Sequence, residues 1–267
     1  MTALRRLAVA VLPLALPVLT MACASEPEPE TQPTTHIALA SLGLGAIQTK
    51  GVSRDAATGN LWLLARGRGL IEITPRGALV SEIRYGSKGL QDWGFGDMAR
   101  LSDGKFFFTA SGEGYRYDPV AQKLELFFCL VPSFDPIKME NSGIALDEVN
   151  GLIYVAPVYY DLSGGEPRLI RAMLGQYAIH DGAWLVEKDV MQSGVVAKGL
   201  AFDSQMGGVW AVQGSHLVHF NGSGETDGRT MALAGIEDGA GVTFDGSQIW
   251  VLDAADNELR AFPRPAP

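Results

Sequence analysis

The sequence predicts an all-β chain folded as a single β-propeller, a closed ring of five four-stranded blades. Three observations predict it: a short pattern that returns five times, a near-constant spacing between copies, and a last copy that is one strand short. The pattern reads KGVSRDAATGNLWLL from Lys50, SGIALDEVNGLIYVA from Ser142, KGLAFDSQMGGVWAV from Lys198 and AGVTFDGSQIWVL from Ala240, with a weaker copy, GDMARLSDGKFFFTA, from Gly96. Self-similarity at this period is the signature of a repeat architecture.

Each copy reads as a hairpin. Asp55, Asp147 and Asp203 are followed four residues later by Gly59, Gly151 and Gly207, and three residues after that by Trp62, Tyr154 and Trp210. Asp245 leads to Trp250 over a shorter turn, and the weak copy keeps Asp103-Gly104 and Phe107. An aspartate and a glycine between two apolar runs mark a tight turn, because glycine takes the positive φ that such a connection needs.

The spacing sets the number of blades. The glycine position (Gly51, Asp97, Gly143, Gly199, Gly241) recurs at steps of 46, 46, 56 and 42 residues, each enough for four short antiparallel strands. In blade one these are expected at 52–57, 60–66, 69–74 and 79–84. Six blades are the alternative if the 56-residue step holds a degenerate extra blade, but the step reads better as a loop insertion. The 26 residues after Gly241 hold three strands. The fourth is available in His36–Ala40, so an N-terminal strand pairing in the last blade closes the ring and removes an open sheet edge.

The pattern resembles the NHL, gluconolactonase-like and SdiA-regulated-like propellers, whose blades open on Gly-Val/Ile/Leu-Ala-x-Asp and continue to Gly-x-Leu-Trp/Tyr-Val. The resemblance covers essentially all of 36–263 and implies the fold, while the group's functions range over hydrolases, oxidoreductases, sensors and scaffolds. For gluconolactonase-like members it also implies a channel calcium, held by a glutamate before the first blade's glycine and by Asn and Asp in other blades. Here the pre-glycine residues are Lys50, Gly96, Ser142, Lys198 and Ala240. Lysines do not ligate a hard cation, so no metal and no cofactor is expected.

The N-terminus carries a second message. Arg5-Arg6, the apolar run Leu7–Leu19 and Leu19-Thr20-Met21-Ala22-Cys23 read as a secretory signal over 1–22. The last five residues resemble a bacterial lipobox, with Thr20 where leucine is usual, which makes Cys23 the lipidated residue. Residues 23–35, rich in proline and glutamate, read as a tether, and 36–267 as the propeller domain. The expected location is extracytoplasmic, lipid-anchored to a bacterial outer membrane or cell surface, with the membrane as partner through that anchor. Plain secretion into the periplasm is the rival, since Ala22-Cys23-Ala24 also satisfies an Ala-x-Ala cleavage rule. The other cysteine, Cys129, lies in the apolar run Leu124–Leu130 and reads as a small buried hydrophobe.

Composition agrees with a filled globular core: 47% hydrophobic and 19% charged residues. The net charge is −9, or −11 with Arg5 and Arg6 removed, which argues against nucleic acid as a partner. No Gly-x-Ser-x-Gly, His-Glu-x-x-His or Cys-x-x-Cys motif occurs. His216 and His219, three apart on a strand, point to opposite faces and are not expected to share a metal.

What remains lies at the channel mouth where the inner strands begin. Lys50 and Lys198 are expected to converge there as an anion-binding point, with Asp97, Glu140 and Asn141 as neighbours. An ion network of the same lysines with Asp97 and Glu140 is the plainer reading. Trp93, Phe134, Tyr159 and Tyr160 fall on what read as loops of that face and add aromatic surface. The expectation is a non-enzymatic module binding a small anionic ligand or an envelope protein on this face. The alternative is a lactonase- or phosphoesterase-type hydrolase with an atypical channel site.

Overall fold

The computed structural model describes residues 29–44, 48–129, 137–189 and 196–266. Among them, twenty strands form five antiparallel four-stranded sheets. Blade one is β2 (Thr49–Arg54), β3 (Leu61–Ala65), β4 (Gly69–Ile73) and β5 (Leu79–Arg84). Blade two is β6 (Asp97–Arg100), β7 (Phe106–Ala110), β8 (Glu113–Asp118) and β9 (Lys123–Cys129). Blade three is β10 (Ile137–Asp147), β11 (Leu152–Asp161), β12 (Arg168–Ala178) and β13 (Trp184–Asp189). Blade four is β14 (Gly199–Asp203), β15 (Gly208–Gln213), β16 (His216–Asn221) and β17 (Thr226–Ala232).

Blade five joins β18 (Gly239–Phe244), β19 (Gln248–Asp253) and β20 (Glu258–Pro263) to β1 (Thr35–Ala38). β1 pairs antiparallel with β20, Ile37 opposite Leu259. Ahead of β1, the Thr31 N–H donates to the Ala232 carbonyl at 2.8 Å and the Ala234 N–H donates to the Thr31 carbonyl at 3.0 Å.

The 56-residue step is not a loop insertion. Its extra residues lengthen β11 and β12 to 10 and 11 residues, with Tyr159 and Tyr160 within β11 and only 162–167 left as the turn, and β10 is lengthened to match ahead of Gly143. The run Tyr154–Tyr160 is rich in valine and tyrosine, which favour a pleated strand over a coil.

The Asp-to-aromatic spacing has a direct cause. Asp203 Oδ1 accepts the N–H groups of Gln205 and Met206 at 2.9 and 3.1 Å, while Oδ2 accepts Trp210 Nε1 at 3.2 Å. Asp245 repeats this with Gln248 N–H at 2.8 Å and Trp250 Nε1 at 2.9 Å. One carboxylate caps the turn and holds the indole of the next strand. The indole bond is confined to blades four and five: in blade one Asp55 Oδ1 receives Arg100 at 2.7 Å and Trp62 Nε1 has no partner among the described residues, and in blade three Asp147 holds Asn150 instead.

Each aromatic then fills the seam to the following blade. Trp62 packs with Met98 and Phe106, Phe107 with Ile153 and Val155, Tyr154 with Val209 and Phe220, Trp210 with Val242 and Val251, and Trp250 with Val52 and Leu63. Five seams of this kind form the core, and a large aromatic in each removes the most apolar surface from water. Cys129 is not part of it. It ends the outermost strand of blade two and is exposed, because Phe128 takes the inward position and alternation turns its neighbour outward.

Around the axis the inner strands nearly touch. A Cβ added to Gly199 would lie 2.8 Å from the Ala240 oxygen and from Gly241 Cα, and one on Gly241 would lie 2.9 Å from Val52 N. One on Gly143 would lie 2.9 Å from Leu200 N, and one on Gly51 the same distance from Met98 N. The glycine of the repeat is there because the blades meet backbone to backbone. Inner strands also present unpaired N–H groups toward the axis, and side chains from neighbouring blades satisfy them. Ser53 Oγ accepts Arg100 N–H at 2.9 Å, and Thr243 Oγ1 accepts Arg54 N–H at 3.2 Å.

Candidate functional site

The face where the inner strands begin carries a cup on the propeller axis, of about 540 Å³. The pre-glycine residues Lys50, Gly96, Lys198 and Ala240 all line it. In blades one and five this residue is the extra one of a β-bulge, between Thr49 and Gly51 and between Gly239 and Gly241. A bulge breaks the alternation and re-aims the side chain it carries, here from the seam toward the axis. The glycine that follows packs the ring, so the two adjacent positions divide structure from surface.

Four further charged residues arrive from elsewhere in the blades. Arg66 follows β3, Lys138 stands on β10 and Asp238 precedes β18, all lining the cup, with Asp92 in the connector before β6. Lys198 forms an ion pair with Asp238. Both side chains are half-exposed, so the pair contributes at most about 1 kcal/mol. The loop carrying Asp238 is nevertheless fixed. Buried Asp253 accepts the N–H groups of Glu237 and Asp238 at 2.9 and 3.0 Å. Tyr85 and Tyr160 complete the wall. Burial, reinforced by Asp92, pushes the Tyr85 phenol far above its ordinary value, so it remains a neutral donor.

Asp97 does not line the cup. It stands at the glycine position of blade two and is 1% exposed, with its side chain in the axial ring. Oδ1 accepts Met98 N–H at 2.8 Å, Oδ2 accepts Ile144 N–H at 3.0 Å, and Leu200 N–H is a third donor. Where the other four blades have glycine, this carboxyl stitches blades two, three and four together and floors the cup. Burial pushes it well above the ordinary carboxylate range, against the lowering effect of the three donors. A carboxyl whose folded pKa exceeds its unfolded value contributes stability that is complete below about 3.9 and is lost as pH rises through the folded value. The stability of the native chain relative to Asp97→Asn, from urea denaturation, is therefore expected to grow as pH falls from about 7 toward 4. A difference that stays flat would mark an ordinary ionised carboxylate.

Trp93 is 43% exposed and lies edge-on to Tyr115 at 4.6 Å, its Nε1 donating to Gln91 Oε1 at 3.1 Å. Its neighbours Asp92 and Gly94 line the cup and Trp93 does not. Tyr160 lines the cup, whereas Tyr159 packs against the seam of blades two and three. Cys23 and the Pro132–Asp135 connector with Phe134 lie outside the described residues, as do the side chains of Glu140 and Asn141. His216 is exposed and His219 is 2% exposed, on opposite faces of β16.

The calcium site that the resemblance implies does not fit the described donors. Six to eight oxygens would be needed, and the cup offers two carboxylates, one already paired with Lys198, against four cationic side chains.

No family model and no curated protein matches the chain. Solved structures do. A gluconolactonase from Xanthomonas campestris superposes with TM-score 0.52 at 17% identity, over 81% of this chain and 72% of that one. The likeness is one of fold. A structure titled as a putative gluconolactonase gives 0.51 at 15% identity, over 80% and 73% of the two chains. A chain of a nidogen/laminin complex gives 0.50 at 18%, over 81% and 80%. Gluconolactonase-like and NHL-type propellers thus share this architecture with the present chain.

Proposed function

We propose that the chain is an extracytoplasmic lipoprotein, anchored to a bacterial membrane through Cys23, whose propeller binds a small anionic ligand without transforming it. The observation that carries this reading is the charge of the upper cup among the described residues: Lys50, Arg66, Lys138 and Lys198 against Asp92 and Asp238, in a chain whose net charge is −9. A concavity with more cations than acids, on an otherwise acidic protein, favours an anion there. The plug of Asp97 and the glycine ring makes that concavity a blind receptacle with one entrance. The tyrosine wall supplies neutral contact area and hydrogen bonds beside the charges.

The test is calorimetric titration with phosphate and a series of di- and tricarboxylates. Lys50→Ala combined with Lys198→Ala is expected to weaken the tightest of these at least about tenfold, since each lost contact is charge-assisted. An unchanged affinity would sink the site. For the anchor, Cys23→Ala is expected to abolish incorporation of labelled palmitate and release the protein from the membrane fraction.

The hydrolase reading draws on the fold shared with two structures named as gluconolactonases. Turnover of a sugar lactone that is lost in the Lys50→Ala, Lys198→Ala variant would favour it over binding alone.

A further inference from the structure

The opposite end of the axis carries its own constellation. Three residues after the glycine position, the inner strands place Arg54, Arg100, Leu146, Phe202 and Phe244, and all five line a lower cavity of about 170 Å³. The ring of Asp97 and the glycines stands between this cavity and the upper cup. One side of the cavity is cationic, from blades one and two. The other is apolar, from blades three, four and five.

The two arginines differ. Arg100 is ion-paired to Asp55 at 2.7 Å and lies over the rings of Trp62 and Phe106 at 6.0 and 5.6 Å, which accounts for it as a seam residue. Arg54 forms no ion pair among the described residues, and its Nε, like that of Arg100, is buried without a hydrogen-bond partner. An orphaned buried guanidinium donor is costly unless something accepts from it. Two hydroxyls of the lining can donate as well. Ser53 Oγ and Thr243 Oγ1 already accept backbone N–H groups, so each has its own proton left to give. The one acid in the lining, Glu148, is occupied by the N–H and hydroxyl of Ser102 at 2.9 and 2.6 Å.

We propose that this lower mouth is a second, independent ligand site, for a small monocarboxylate with an apolar body. The carboxylate receives the Arg54 guanidinium and the Ser53 and Thr243 hydroxyls, and the body lies against Leu146, Phe202 and Phe244. A cavity with donors on one side and two phenyl rings on the other discriminates against both inorganic anions and neutral aromatics, since each satisfies only half of it.

Benzoate is the probe, with acetate and benzyl alcohol as the two half-ligands. On the full chain, benzoate is expected to bind at least about tenfold more tightly than either control, and Arg54→Gln to cost at least about tenfold more. Lys50→Ala with Lys198→Ala, which alters the upper cup, is expected to change benzoate affinity by less than about twofold. In the unsubstituted protein, benzoate is expected to shift the Arg54 Nε–H resonance, a readout that needs no variant to fold. Equal benzoate affinity in Arg54→Gln, equal binding of acetate, loss in the lysine variant instead, or an unmoved Nε–H signal would each overturn the proposal.

Discussion

Asp203→Ala is expected to destabilise the propeller by about 4 kcal/mol, lowering the melting temperature by about 8–15 °C. The side chain is fully buried and answers four donors at once: two turn N–H groups, the Trp210 indole and the Arg264 guanidinium. Alanine would orphan the first three and strip Arg264 of its counter-charge. Arg264 also lies over the Phe244 ring at 4.9 Å, so its displacement would loosen the end of blade five as well. Asp203→Asn keeps an acceptor for the turn but turns a donor toward another donor, and an intermediate loss is expected. A thermal melt and a urea titration on the two variants suffice. A cost below about 1 kcal/mol for alanine would mean that water replaces the carboxylate and that the Asp-indole pairing is incidental.

Gly199→Ala is the second large effect. The added methyl would face the backbone of the next blade, at 2.8 Å from the Ala240 oxygen, and backbone in a closed ring has no room to retreat. A loss of about 3 kcal/mol or more is expected, or a failure to accumulate as folded protein. The matched control is Gly67→Ala. That glycine sits at a φ of +69° with open space around its Cα, so only the left-handed backbone is penalised, by about 1 kcal/mol. Equal midpoints for the two in urea would show that the axial contact is soft.

The parts of this molecule legible in its sequence are those set by neighbours along the chain. The Asp-turn-aromatic hairpin is local, and the pre-glycine position is marked by its change from copy to copy, so Lys50 and Lys198 could be placed at a channel mouth. Arg66 and Asp238 carry a weaker mark: Arg66 stands four residues after Trp62, as Ser111 does after Phe107 and Ala254 after Trp250, and Asp238 stands three before Gly241, as Gln48, Gly94 and Val196 stand before their own glycine positions, but only the structure shows that these offsets reach the cup. Lys138 comes from the lengthened β10 and has no such mark. Asp97 looked like a ligand residue from its position. Its role follows only from the distance between inner strands, which no single strand encodes. The lower mouth was equally hidden: Arg54 reads as one more basic residue until the blades bring Phe202 and Phe244 opposite it.

The pairing of β1 with β20 has a mechanical consequence. Tension applied at the N-terminus reaches the ring through Thr31 and then along β1, whose hydrogen bonds to blade five lie across the pull and share the load in shear. Because β1 is the outer strand of its sheet, it is the first strand of the ring that force would slide free, and four paired residues set the threshold. Beyond that threshold blade five keeps three strands, and the cup and lower mouth, lined by β18 rather than β1, persist while the seal of the ring is lost.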